Sequence, residues 1–520
     1  MKTKIHADSS MDAYARYRSA TRKELWETEI PRFNQLQASD RLNEIGLIRA
    51  VGVVFAARGS TEEKKTVREW MVHLLTDPEE KVRRYAINAI PKLDAGEKEE
   101  EALLSLWEHT TSDREKGYVR LALEKIGGSR TLETLRAHSE HTLPVRVLAN
   151  IARHAGSGRV TTDHIVSDLR GIRIHLRGRR GLEGFVREEL ESDSRLRDQF
   201  KVVDVKRGLV ALQPRQPFCL DDLMVLRCCG VVSLVLGLCR KDPPCSVDLL
   251  DAIARAIVSP VARRLWGSFH EGEARYRLEW VGESPPTSSV KRVAQYVAEY
   301  WPERLNDSRQ APWAIEIHHT PVGKSVELRL RQTPDPRFDY RVDDVAASSH
   351  PPLAASLARW GLDAEGILWD PFCGSGLELI ERSRLGGICE LHGSDLSEEA
   401  LAAARANLAA AGLDLNPKIA SHWSCCDFRD YPQRAGWSKG SVDLILSNPP
   451  LGRRIRIPNL KGLIRDLFDV AAEYLRYGGQ LIFTNPVKVV PHDSRLLCLE
   501  RRVADLGGFD CRLEKWVKGS

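Results

Sequence analysis

The stretch that most constrains the fold is ILWDPFCGSGLELIE (residues 367–381). A short apolar run ends in an acid, passes through a turn holding two glycines, and continues with helical spacing. That is a buried strand, a glycine turn and a helix, because glycine lets the backbone reverse sharply and lie close to a ligand. From about residue 340 the same alternation continues. Strands read at 366–370, 390–395, 442–447 and 480–485. Helices read near 375–385, 397–412, 460–477 and 493–506. Strands alternating with helices predict a parallel sheet covered on both faces.

The chemistry-bearing residues fall at strand ends. Gly374 and Gly376 form a Gly-x-Gly pair. It lacks the third glycine of a dinucleotide fingerprint, and no Lys-Ser/Thr follows as in a phosphate-binding loop. A pyrophosphate is therefore not the expected ligand. Asp395 closes the second strand, where a carboxylate can accept both hydroxyls of a ribose. Asp427 follows in CCDFRDY, and Asn448 follows the strand at 442–447, in SNPPLGRRI. Such positions line one crevice edge of a parallel sheet.

This ordered series resembles the class I S-adenosyl-L-methionine-dependent methyltransferases. Asp370, Pro371, Cys373, Gly374 and Gly376 match their first motif. The resemblance implies that Asp395, with Leu396, holds the ribose and that Asp427 and Phe428 contact the adenine. Asn448, Pro449, Pro450 and Leu451 match the fourth motif, found in enzymes that methylate planar amino groups. The chemistry suits those residues. An exocyclic amine is a poor nucleophile because its lone pair is delocalised into the ring. An amide oxygen on Asn448 and the carbonyl of Pro449 can accept its two protons and aim the lone pair at a methyl donor. Leu451 stands where the family usually has an aromatic residue that stacks on the target base. The family's closing hairpin is also expected to be incomplete, because 493–506 reads as a helix and only 509–517 as a strand. The Rossmann-like sheet is then one strand short.

A chain of 520 residues is too long for one core. Residues 1–160 read as helices with weak internal repetition. EKVRRYAINAIPKLD (80–94), KGYVRLALEKIGG (116–128) and LPVRVLANIARHAG (143–156) are related, and the closing segments of the first two lie 33 residues apart. They resemble HEAT-type repeats, which stack into an α-solenoid and offer a surface to a protein partner. GSGRVTTD (156–163) reads as a linker.

Residues 165–335 read as strand, helix, two strands, helix, strand, which is the ferredoxin-like order, followed by a second α/β stretch. This part resembles the amino half of the THUMP-containing RNA modification enzymes, with THUMP itself at about 245–332. The methyltransferase domain spans 340–520. That resemblance implies RNA as partner, tRNA as the expected substrate and guanine N2 as the target. Local charge agrees. Arg173, Arg177, Arg179 and Arg180 cluster early in the middle region, and Arg453, Arg454 and Arg456 follow the Asn-Pro-Pro segment. Such groups can neutralise phosphates.

Several classes are disfavoured. No run of about 18 apolar residues occurs, so no membrane span is expected. The N-terminus lacks the apolar core of a secretory signal. None of the eleven cysteines has zinc-ligand spacing, so free thiols in a reducing cytoplasm and no metal site are expected. Cys373 reads as a small packing residue, and His350 as a residue of the crevice entrance or of the structure around it. Two other readings stay open: an amino-methyltransferase acting on DNA adenine or protein glutamine, and an RNA-binding or scaffold protein whose methyltransferase domain has decayed.

Overall fold

The computed structural model of the protein describes residues 14–137, 158–240, 248–272, 274–307, 311–331, 335–345, 348–452 and 457–519, with Val147 and Ile151. The repeat copy at 143–156 and the arginines Arg453, Arg454 and Arg456 thus lie outside the described residues, the two isolated positions aside.

Among the described residues, 14–137 contain helices and no strand. Gly46–Arg58, Glu80–Ala89 and Asp113–Ile126 pack in succession. Thr61–His73 and Glu97–His109 pack against them on one side. The helices share an apolar core of their own, built on Val51, Met71, Ile87 and Leu123. Buried ion pairs link successive helix pairs. Arg41 pairs with Asp77, Arg68 with Glu99 at 3.0 Å and Arg83 with Glu115 at 2.7 Å. Arg83 also donates to the Asp77 carbonyl. Each pair spans about 31 to 36 positions, so each ties one helix pair to the next.

The middle region is one mixed sheet of eight strands. Its strands are β1 (Ile174–Arg177), β2 (Phe200–Lys206), β3 (Leu209–Pro214), β4 (Val231–Arg240), β5 (Ala274–Trp280), β6 (Arg304–Asn306), β7 (Trp313–Thr320) and β8 (Gly323–Leu330). Their order is β2-β3-β1-β4-β8-β7-β5-β6. The first four are antiparallel neighbours in the ferredoxin-like order. The antiparallel pairing of β4 with β8 joins both halves into one sheet. Strand β5, ARYRLEW, escapes the sequence reading although its apolar residues alternate.

The C-terminal sheet has seven strands: β9 (Gly366–Asp370), β10 (Ile388–Asp395), β11 (Ala420–Cys425), β12 (Val442–Ser447), β13 (Leu475–Asn485), β14 (Leu496–Asp505) and β15 (Asp510–Lys518). The order is β11-β10-β9-β12-β13-β15-β14. All pairings are parallel except those of β15. The expectation of a missing last strand is therefore wrong, because residues expected to be helical form β14. Its Leu, Glu, Arg and Ala favour helix, but tertiary pairing overrides so weak a preference. Gly507 and Gly508, both at positive φ, turn the chain into a hairpin, and β14 pairs along its length with β15.

The two sheets are fastened together. One apolar core runs from Val166 and Phe185 to Leu446 and Leu513. Across it, Arg227 donates twice to Glu381 at 2.8 Å, and the Tyr340 hydroxyl donates to the same carboxylate at 2.6 Å. Arg502 pairs with Glu188 at 2.8 Å and lies 4.1 Å over the Phe185 ring. Removing one partner of a buried pair leaves the other charge unpaired. Glu381→Ala should lower the unfolding free energy by about 3 kcal/mol or more. Urea denaturation of the full chain checks this; a loss below about 1 kcal/mol would remove the pair as a fastening.

Candidate active site

The parallel strands end on one side of the sheet, and the predicted residues gather there. Strand β9 ends in Asp370, which is fully buried. One of its oxygens accepts from the Phe372 amide at 3.0 Å and from the Ser447 hydroxyl at 2.5 Å; the other has no partner. The turn after it brings Gly374 to φ +50° and Gly376 to φ +80°. A Cβ on Gly374 would point into open space. The Gly374 amide donates to Asp395 at 3.0 Å, and the Ser397 amide donates to the other oxygen of Asp395 at 3.0 Å. The ends of β9 and β10 are thus locked to each other.

A cavity of about 920 Å³ opens over these strand ends. Of the predicted cofactor residues, Pro371, Cys373, Gly374, Asp395, Leu396, Asp427 and Phe428 line it. Asn448, Pro449, Pro450 and Leu451 line the same cavity. Asp370 and Gly376 stand behind the lining. Of the predicted arginines, Arg179 reaches the cavity. Arg173 is exposed. Arg177 is committed to Glu327, donating at 2.7 Å through Nε, and Arg180 to Asp510.

The Asn448 amide is held at both ends. Its Nδ2 donates to the Ser349 hydroxyl at 2.8 Å. Its Oδ1 accepts from the Thr484 hydroxyl at 2.6 Å. Ser349 in turn donates to Glu378. A hydroxyl has one proton, so while Glu378 is ionised and takes it, Ser349 can only accept from Asn448, which orients the amide. Sequence reasoning missed Ser349, Thr484 and Glu378. Ser349 precedes the helix Pro351–Trp360, Thr484 ends a different strand, and nothing local in the sequence joins them.

The cavity floor is acidic. Burial pushes the carboxyl of Glu378 up to about 7. Burial, then the charge of Glu378, holds Asp370 well above the usual carboxylate range. Asp427 is held below it by Arg429, which grips both of its oxygens at 2.7 and 2.8 Å. At the mouth, burial, then the charge of Arg179, holds the His350 imidazole down at about 4. Buried carboxyls this close favour a cationic ligand, whose charge would ionise them. Phe372 and Phe428 add an apolar wall, with ring centroids 4.8 Å apart. Burial raises the Cys373 thiol, which is not poised as a nucleophile.

Residues 339–495 match the family described as the RMKL-like methyltransferase domain. The C-terminal sheet carries a methyltransferase domain. A probable tRNA (guanine(10)-N2)-dimethyltransferase of Methanothermococcus thermolithotrophicus is 28% identical over 123 residues, covering 24% of this chain and 72% of that protein. The crystal structure of TrmN from Thermus thermophilus is 23% identical with a TM-score of 0.51, covering 67% of this chain and 99% of that one. A possible methylase from Clostridium difficile 630 is 16% identical with a TM-score of 0.48, covering 67% and 98%.

The raised carboxyl of Glu378 sets a pH dependence. Its folded-state value of about 7 lies above its ordinary 4.5. The native state therefore holds the proton more tightly, and this contribution to stability is present below about pH 4.5 and lost as pH rises through about 7. Glu378→Gln, neutral at every pH, should be more stable than the parent at pH 8, with the gap narrowing towards pH 5. Denaturation at both pH values without ligand checks this; equal stability at both would contradict the burial of an ionisable group there.

Proposed function

We propose that this protein is an S-adenosyl-L-methionine-dependent RNA methyltransferase that modifies guanine N2, with tRNA as its substrate. The observation that carries this reading is the fixed amide of Asn448, beside the glycine turn and ahead of two prolines. The printed activity of the Methanothermococcus relative supports the choice of tRNA and of guanine N2. A cytoplasmic location accords with tRNA as substrate.

S-adenosyl-L-methionine supplies an electrophilic methyl group on a positively charged sulfur. Asp370, Glu378 and Asp395 provide the acidic surroundings such a cation needs. Asp395 is the ribose acceptor, Leu396 lies beside it, and Phe428 with Phe372 covers the adenine. Asn448 keeps one lone pair of Oδ1 free after accepting from Thr484. That lone pair and the Pro449 carbonyl receive the two amine protons and aim the nitrogen. Asn448 is not a base; its contribution is positioning and electrostatics. Leu451 packs half-buried against the core and offers no ring. Phe509, at the tip of the β14–β15 hairpin, lines the cavity and supplies the face on which a base can stack.

The complete seven-stranded sheet takes away one reason for a decayed enzyme. Arg173 and Arg179, with Arg453, Arg454 and Arg456, are the cations assigned to RNA. Arg177 and Arg180 support them by holding the fold. The eight-stranded sheet is the THUMP-like RNA-binding region, and the N-terminal helices are a HEAT-like solenoid for a protein partner.

Two substitutions test the assignments. Asn448→Ala should leave cofactor affinity nearly unchanged and slow single-turnover methyl transfer to tRNA by about a hundredfold or more. Transfer at the parent's rate would end the proposed role. Asp395→Ala should weaken cofactor binding by about tenfold or more, since bonds to a charged acceptor contribute roughly 1.5–3 kcal/mol. Calorimetry reads this, and unchanged affinity in a folded variant would remove Asp395 from the ribose site.

A further inference from the structure

At the outer edge of the methyltransferase sheet, outside the lining of the cavity, three side chains with metal-ligating atoms meet. Glu390 and His392 lie two residues apart on β10 and so share one face of the sheet. His422, on the parallel edge strand β11, is the register partner of His392. One ligand atom from each lies within 4.8 Å of the other two, and among the described residues this is the one such grouping of three. Two ligands at i and i+2 of a strand with a third directly across is an arrangement that lets a sheet present three donors to one point.

One edge of the triangle already has the length a small divalent ion needs, and the other donors lie within 4.8 Å. Zinc held by imidazole and carboxylate at about 2.0–2.2 Å in a tetrahedron keeps its donors about 3.3 Å apart. Glu390 Oε2 and His392 Nε2 are 3.3 Å apart. His422 is exposed, and its ring stacks on that of His392 with centroids 4.6 Å apart. It therefore has room to turn its nitrogen inward.

A built outer shell supports the inner one. The Tyr431 hydroxyl lies 2.8 Å from Nδ1 of His392, and Trp437 packs edge-on to the same ring. Metal on Nε2 requires the proton on Nδ1, and a hydrogen-bond partner there fixes that tautomer. Without metal the roles reverse: Nε2–H donates to Glu390, and Tyr431 donates to Nδ1.

We propose that Glu390, His392 and His422 form a site for a divalent transition-metal ion of the zinc class, with Tyr431 orienting His392 from behind. Imidazole with carboxylate is the donor set such ions favour over magnesium or calcium. Three protein ligands leave one position for water. The ion ties the exposed edge strand β11 to β10. It also steadies Tyr431, whose amide bonds the Phe428 carbonyl at 3.3 Å, in the turn that carries Asp427 and Phe428.

The test uses tag-free full-length protein stripped with a chelator and titrated with zinc chloride by calorimetry. One equivalent should bind saturably and raise the thermal midpoint. His422→Ala, an exposed and structurally mild change, should weaken binding by tenfold or more and abolish the thermal shift. Glu390→Gln should weaken it similarly. No saturable binding by the parent protein, or equal binding by the parent and both variants, would overturn the site and leave adventitious surface contact as the explanation.

Discussion

Ser349 has one hydroxyl proton and two neighbours that compete for it. When Glu378 is ionised it takes the proton, so Asn448 must present its amino side to Ser349 and its oxygen to Thr484. The rest of the proposed active site depends on that constraint. An asparagine that can flip presents donor and acceptor alternately, and an amine substrate needs an acceptor. Here three elements fix the choice: the segment before the helix Pro351–Trp360, the glycine-turn helix Leu377–Ser383 and the end of strand β13. The same Glu378 contributes to the acidic floor beneath Gly374. Its ionisation thus decides whether Ser349 points its proton towards Asn448.

The middle region contributes more than a charged surface. Its sheet shares a core with the methyltransferase domain, and Arg227 and Tyr340 converge on Glu381 in the glycine-turn helix. A guanidinium that pairs bidentately with a carboxylate brings geometric precision along with charge. This explains why several arginines that read as phosphate ligands do other work. Arg177 satisfies Glu327 inside the sheet, together with His175 at 2.7 Å and Ser233 at 2.6 Å. Arg180 meets Asp510 at the start of strand β15. Arg179, between them, faces the cavity.

The gathering of these residues at one crevice was legible because they sit at strand ends joined by short turns. There, sequence order translates directly into position along the crevice, and Gly374, Asp395 and Asn448 appear where the alternation puts them. What failed was of two kinds. Strand β11, ASHWSC, has no apolar run because it is an exposed edge, and β14 is built of helix-favouring residues. Local preference misleads at edges, where pairing with a neighbour decides. The contacts that orient Asn448 and the His392–His422 pair were out of reach for another reason. Their partners lie 30 to 99 positions apart, and parallel pairing or helix docking brings them together only after folding.

The account stands on an acceptor shaped for a planar amine on RNA. Mass spectrometry of the nucleosides in tRNA incubated with the purified protein and methyl-labelled S-adenosyl-L-methionine tests it most directly. The account predicts label in N2-methylguanosine. Label confined to another base, to DNA adenine or to protein glutamine, or absent from every acceptor, would contradict it.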